Sequence, residues 1–205
     1  IGQDGNLCTG KMGFSLGRFG RAMYNVNRSF DNSQLTTDGN TETLNLQTAD
    51  TRSQRVFGNY TLGWDYDIDK KNSLAASVRF GTRSGKSYQD GLLTEMYTND
   101  VLSSSNLRNS ASNDLNNSVD INLTYTRLYD KPQREFSLLA LYSKNNRNND
   151  FENRTLEENG AELLEGYKNL NDSYNQEITI QADYQTPIGT NQLIEFGGKD
   201  IMRKA

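Results

Sequence analysis

The chain contains no histidine, so it lacks the usual general base near neutral pH and the commonest metal ligand. Its single cysteine, Cys8, excludes an intrachain disulfide and a thiolate metal cluster, and is expected to be a small buried or loop residue. No apolar run approaches the ~18–20 residues that a transmembrane helix needs. A basic stripe is also missing: 22 Lys and Arg stand against 26 Asp and Glu, a net charge of -4, which argues against a nucleic-acid partner. The opening Ile1-Gly2-Gln3-Asp4 has no Met, basic n-region or apolar h-region, so either a leader was removed or this is a piece of a longer chain. Hydrophobic residues make up only 34% of the sequence. That figure does not exclude a membrane, because half of each strand in a membrane barrel faces water.

What the chain does have is alternation. Between positions 56 and 68, Val56, Tyr60, Leu62, Trp64, Tyr66 and Ile68 fall on one parity, and Asn59, Thr61, Gly63, Asp65 and Asp67 on the other. A strand with one wet face requires this pattern. After a polar turn at Asp69-Lys70-Lys71, the return places Leu74, Ala76, Val78 and Phe80 opposite Ser73, Ala75, Ser77 and Arg79, which makes a hairpin. Soluble strands run about five or six residues. Here the alternation persists for about a dozen, near the ~9–11 that a tilted strand needs to cross a bilayer.

The pattern recurs along the chain. Met12, Phe14, Leu16, Ala22, Tyr24 and Val26 share a register in a long strand over 11–30, whose glycines allow a bend or bulge. Val119, Ile121, Leu123 and Tyr125 form another apolar face, followed by a turn at Asp130-Lys131-Pro132-Gln133 and a return through Phe136, Leu138, Ala140 and Tyr142. Leu139 and Leu141, on the other face of that return, suggest something packed inside. Ile178, Ile180, Ala182 and Tyr184 alternate with Glu177, Thr179, Gln181 and Asp183, a turn follows over 186–191, and a last strand starts at Leu193. Between these hairpins lie three polar segments, 31–53, 81–117 and 144–174, which read as long loops, the third with a short helix over 157–168 suggested by Leu163, Leu164 and Tyr167.

Short turns and long polar connections therefore strictly alternate, which sorts them to opposite ends of the strands. A soluble sandwich has no reason to sort its loops in this way, whereas outer-membrane barrels do. Trp64, Tyr66, Tyr129 and Tyr184 sit within a few residues of the short turns, as an interfacial girdle would. The fold class expected is all-β: an antiparallel transmembrane β-barrel sector of about seven long strands, with short periplasmic turns and long extracellular loops. Residues 1–205 form a single β-barrel region. Since bacterial barrels have even strand numbers, that region is a sector of a larger barrel.

The run from Asn59 to Leu74, the later Ala182-Asp183-Tyr184-Gln185-Thr186-Pro187-Ile188, and Ile194-Glu195-Phe196-Gly197-Gly198-Lys199 resemble the outer-membrane β-barrel of TonB-dependent receptors of the Bacteroidetes type. The resemblance covers most of the chain from about Gly10 onward. It implies a barrel wall in the cell outer membrane that binds and imports a nutrient ligand. The partners implied are outer-membrane lipid, the remainder of the barrel, a plug domain, TonB, and a surface lipoprotein. Neither a plug domain nor a TonB box is visible in the chain.

Alternation aims Asp65, Asp67, Arg79, Asp120, Glu177 and Asp183 into the lumen, as hydrated wall or as contacts to a plug or substrate. Tyr88, Asp90, Tyr97 and Asp100, in the second polar segment, are the candidate ligand-binding residues, because loops on a rigid scaffold commonly bind. Asp65, Asp67 and Asp69 have alternate spacing, but Lys70 stands where a calcium loop needs glycine, so no metal is assigned. Without histidine or a serine-elbow motif, neither a cofactor nor a catalytic residue is assigned and no enzyme is expected. The alternative is a soluble or surface-anchored all-β binding module, carbohydrate-binding or adhesin-like. Such a module would gather its aromatics in one patch instead of repeating them at one height.

Overall fold

The computed structural model describes residues 2–189 and 192–205. Eight strands follow one another: β1 Gly2–Thr9, β2 Met12–Asp38, β3 Thr41–Asp67, β4 Asn72–Thr98, β5 Val101–Leu128, β6 Glu135–Glu157, β7 Leu163–Ile188 and β8 Gln192–Lys204. Each pairs antiparallel with its sequence neighbours, giving one sheet in the order β1 to β8. Among the described residues β1 does not pair with β8, so the sheet is open.

Several expectations are corrected. The strands number eight, because Gly2–Thr9 pairs along Met12 to Phe19 as an edge strand. Cys8 is exposed on that strand, neither buried nor in a loop. The polar segments are not loops: β2, β3 and β4 each run 27 residues, and the ladder continues through them to tight turns at their far ends. At ~3.3 Å per residue such a strand spans about 90 Å, so much of each hairpin is a polar ribbon beyond any bilayer. Nothing in the polar segments stops the pairing, since the two prolines, Pro132 and Pro187, both stand at the short-turn end. The expected helix over 157–168 is instead the end of β6, a turn with Gly160 at φ 70°, and the start of β7. Leu163 pairs with Leu156 across that turn, so strand pairing takes the place of a helical face.

The far turns carry their own chemistry. Asn99 and Asp100 both have positive φ, 49° and 64°, as a two-residue type I′ turn demands. The Asn99 side chain accepts the Glu42 N–H at 2.8 Å and ties this tip to the neighbouring hairpin. A bulge in β2 between Met23 and Val26 centres on Asn25 at φ 52°, not on the nearby glycines. At the near end, the Asp69 carboxylate accepts from the Lys71 N–H at 2.7 Å, the Asn72 N–H at 2.9 Å and the Asn72 side-chain amide. Pro187 lies in β7, not in the expected turn, and pairs with Leu193. Of that turn, Thr190 and Asn191 lie outside the described residues.

The Lys71 N–H, followed by the Asn72 side chain, holds the Asp69 carboxyl below its ordinary value. A depressed folded-state value means that the turn's stabilisation is full above the unfolded aspartate range and is lost as pH falls through the lower folded value. Protection of the Lys71 and Asn72 amides against hydrogen exchange, normalised to intrinsic rates, should therefore fall below about pH 4. In Asp69→Ala it should be low and flat across the same range; an unchanged acid profile would show that Asp69 does not hold the turn.

Candidate functional site

The register turns the alternation into two continuous faces. On one face the ladder aligns Met12, Tyr66, Leu74, Tyr125 and Leu138 in one row. Phe14, Trp64, Ala76, Leu123, Ala140 and Ile180 form the next, and Leu16, Leu62, Val78, Ile121, Tyr142 and Ile178 a third. Arg18, Tyr60, Phe80, Val119 and Lys144 close the band with a cation at each end. With its flanking interfacial residues the band matches the ~9–11 residues of a tilted crossing. Its side chains are open: Leu62 is 60% exposed and Leu16 53%. A contiguous apolar surface across six strands is far larger than a soluble monomer keeps bare, and hydrocarbon is the solvent that suits it.

All four expected interfacial aromatics gather at the short-turn edge of this band. Trp64 and Tyr66 stack with centroids 5.8 Å apart. Tyr129 and Tyr184 meet edge to face at 6.2 Å, and Tyr184 lies 5.2 Å from Phe196. Arg134 sits over Tyr129 at 4.6 Å and donates from Nε to the Tyr184 hydroxyl at 2.6 Å, while Arg127 lies 5.1 Å from the centre of the Tyr129 ring. Rings with guanidinium partners suit headgroup depth, where one end is apolar and the other wet. Sequence reasoning missed Tyr125, Phe196 and the two arginines in this belt; their signal was the same proximity to short turns.

Depth follows from this geometry. Trp64, the only tryptophan, should be quenched strongly by lipids brominated near the headgroup and weakly by lipids brominated at the chain ends. Emission untouched by either set would remove the band from the bilayer.

The opposite face carries all six residues expected in the lumen. Asp67 shares a row with Ser73, Thr126, Ser137 and Asp183, and Asp65 faces Ala75 one row on. Arg79, Asp120, Ser143 and Glu177 form a single row further out, in which Ser143 donates to Asp120 at 2.7 Å and Arg203 pairs with Glu177 at 2.6 Å. Between these rows Leu139 and Leu141 share the inner face with Thr179, which is 1% exposed, and Ile201. On this face Asp120 and Glu177 thus have partners, and a short apolar strip lies between the charged rows.

The four candidate ligand-binding residues are not brought together. Tyr88, Asp90 and Tyr97 stand in β4 and Asp100 in the turn beyond it, because the segment expected as a loop is paired strand. Tyr88 packs under Arg52, whose Cζ is 5.1 Å from the ring, and Asp90 pairs with Asp50. Tyr97 lies far up the ribbon, where its hydroxyl meets Glu95 at 3.4 Å.

Residues 127–205 match the model of an outer membrane protein beta-barrel family. No curated protein and no solved structure matches the chain. The match falls on the last residues of β5 and all of β6, β7 and β8, the segment that carries Tyr129, Tyr184, Phe196 and both arginines of the belt. The sheet is accordingly a sector of an antiparallel transmembrane β-barrel in the outer membrane, with its short turns at the periplasmic end.

Proposed function

We propose that the chain forms part of the wall of a TonB-dependent receptor that binds a nutrient at the cell surface and imports it without chemical change. The observation that carries the reading is the open eight-stranded sheet with one lipid-suited and one polar face. An open sheet leaves unpaired N–H and C=O groups in hydrocarbon, so further strands must complete the wall. Strands of 23–28 residues that project as ribbons give the wall an extended outer surface on which a ligand can land. The inner apolar strip at Leu139, Leu141 and Ile201 suits a plug domain packed against it. TonB, a surface lipoprotein and lipid complete the partners proposed, and no catalytic step is included.

The test is genetic. A strain lacking the full-length protein should grow more slowly than its parent on at least one of a panel of limiting nutrients. Loss of TonB should produce the same defect, and the double mutant should be no worse. A defect that persists independently of TonB would overturn the proposal, as would normal growth on every nutrient in the panel.

A further inference from the structure

On the inner face, where the apolar band gives way to the polar ribbons, the register aligns Arg21 in β2, Phe57 in β3, Arg83 in β4, Asn116 in β5 and Arg147 in β6. Every second strand in this row presents a guanidinium. Neighbouring strands lie about 4.8 Å apart, so successive arginines are spaced about 10 Å at the backbone. Arg55, on β3 and two residues from Phe57, adds a fourth on the diagonal. The four arginines line a hollow of about 700 Å³. Asp114 is its one acidic side chain, 3.7 Å from Arg147. Among the described residues, Arg21, Arg55 and Arg83 form no ion pair. Phe19 and Phe57 meet edge to face at 5.8 Å within the hollow, both substantially exposed, and give it an apolar floor.

This is a concentration of like charge in a chain whose net charge is -4. Nearer the periplasmic end the same face is acidic, with Glu135, Asp183 and Glu195 around a second hollow. Unpaired guanidiniums repel one another, and their planar forks match oxyanions two hydrogen bonds at a time. A row of them is therefore complementary to a ligand whose negative groups are spaced along a scaffold.

Resting on the transport reading above, we propose that this hollow is a ligand site of the receptor, and that its ligand is a small polyanion carrying at least two phosphate, sulfate or carboxylate groups on an apolar body. Arg21, Arg83 and Arg147 take the oxyanions, Arg55 reinforces them, and the two phenylalanines meet the body between. The ribbons above guide the ligand in, and the acidic surface nearer the periplasmic end repels it from passing further along the wall.

The experiment uses the full-length receptor in detergent, with tripolyphosphate and benzenehexacarboxylate as probes and a neutral oligosaccharide as control, read by titration calorimetry. The polyanions should bind and the oligosaccharide should not, with affinity falling steeply as salt rises. Arg83→Gln should weaken binding about tenfold or more, the usual loss for a charge-assisted hydrogen bond. Arg83→Lys should recover part of it, and Asn122→Gln, deeper on the same face, should change nothing. An unshifted Trp64 emission shows that each variant is folded. Absence of polyanion binding overturns the proposal, as does binding indifferent to Arg21, Arg83 and Arg147. So does a result in which the glutamine variants only loosen the plug, which would make the arginines plug contacts. Binding in detergent does not require TonB, so polyanion binding with TonB-independent growth would sink the transport reading alone. TonB-dependent growth without polyanion binding would sink this one alone.

Discussion

Replacing Ile121 by arginine should destabilise the folded protein in a bilayer by about 2–4 kcal/mol, the depth-dependent cost of a cation at the lipid-facing midplane. Ile121 lies in the third apolar row between Val78 and Tyr142, and 42% of it is exposed on the bare sheet. Its neighbour in sequence, Asn122, points to the other face between Ser77 and Leu141. Asn122→Arg should therefore stay within about 0.5 kcal/mol, as hydrated substitutions usually do. Reversible urea unfolding in phospholipid vesicles measures both. A large cost at 122 with tolerance at 121 would mean that the faces have been assigned the wrong way round. A small cost at both would favour a soluble binding module, in which position 121 meets water.

The second large effect is expected at Tyr184, the hub of the periplasmic belt. Tyr184→Ala removes the edge contact to Tyr129, the packing on Phe196 and the hydrogen bond from Arg134. Aromatic pairs contribute about 0.5–1.5 kcal/mol each and a charge-assisted hydrogen bond about 1.5–3, so with partial relaxation the loss should be about 2–4 kcal/mol. Tyr184→Phe keeps the ring and should lose only the hydrogen-bond share. The double change Tyr184→Ala with Arg134→Ala should cost at least about 0.5 kcal/mol less than the sum of the two singles, because the two side chains share one contact. Full additivity in the same unfolding assay would show that the Arg134 contact adds no stability.

Within the membrane band the sequence was legible because the two sides of each strand meet different solvents. Leu74, Ala76, Val78 and Phe80 announce their face through selection for lipid, and Asp65, Asp67, Arg79, Asp120, Glu177 and Asp183 announce the other through selection for water. Beyond the band both sides meet water. Positions such as 31–38 and 101–106 then carry no alternation and resemble loops, although the backbone ladder runs on through them. Signals for these outer strands were present in another form. The polar segments contain no proline, and the Asn99-Asp100 pair is the type I′ turn that closes β4 onto β5. Cys8 and the edge strand Gly2–Thr9 were missed because Gly2, Gly5 and Gly10 gave that segment no clear period.

The local pattern decided strand character, the choice of lipid face and the height of the aromatic belt. Each depends on what a side chain meets within one or two residues of itself, and two-residue periodicity records that directly. Register decided the rest. A single residue of slip would turn Arg83 from the row of Arg21 and Arg147 onto the opposite face. Turn lengths and the bulge at Asn25 set that register, and they act through pairing between successive strands whose facing residues lie up to about fifty positions apart. The arginine row and the continuity of the apolar band across strands are therefore properties of the assembled sheet. No single hairpin contains either one.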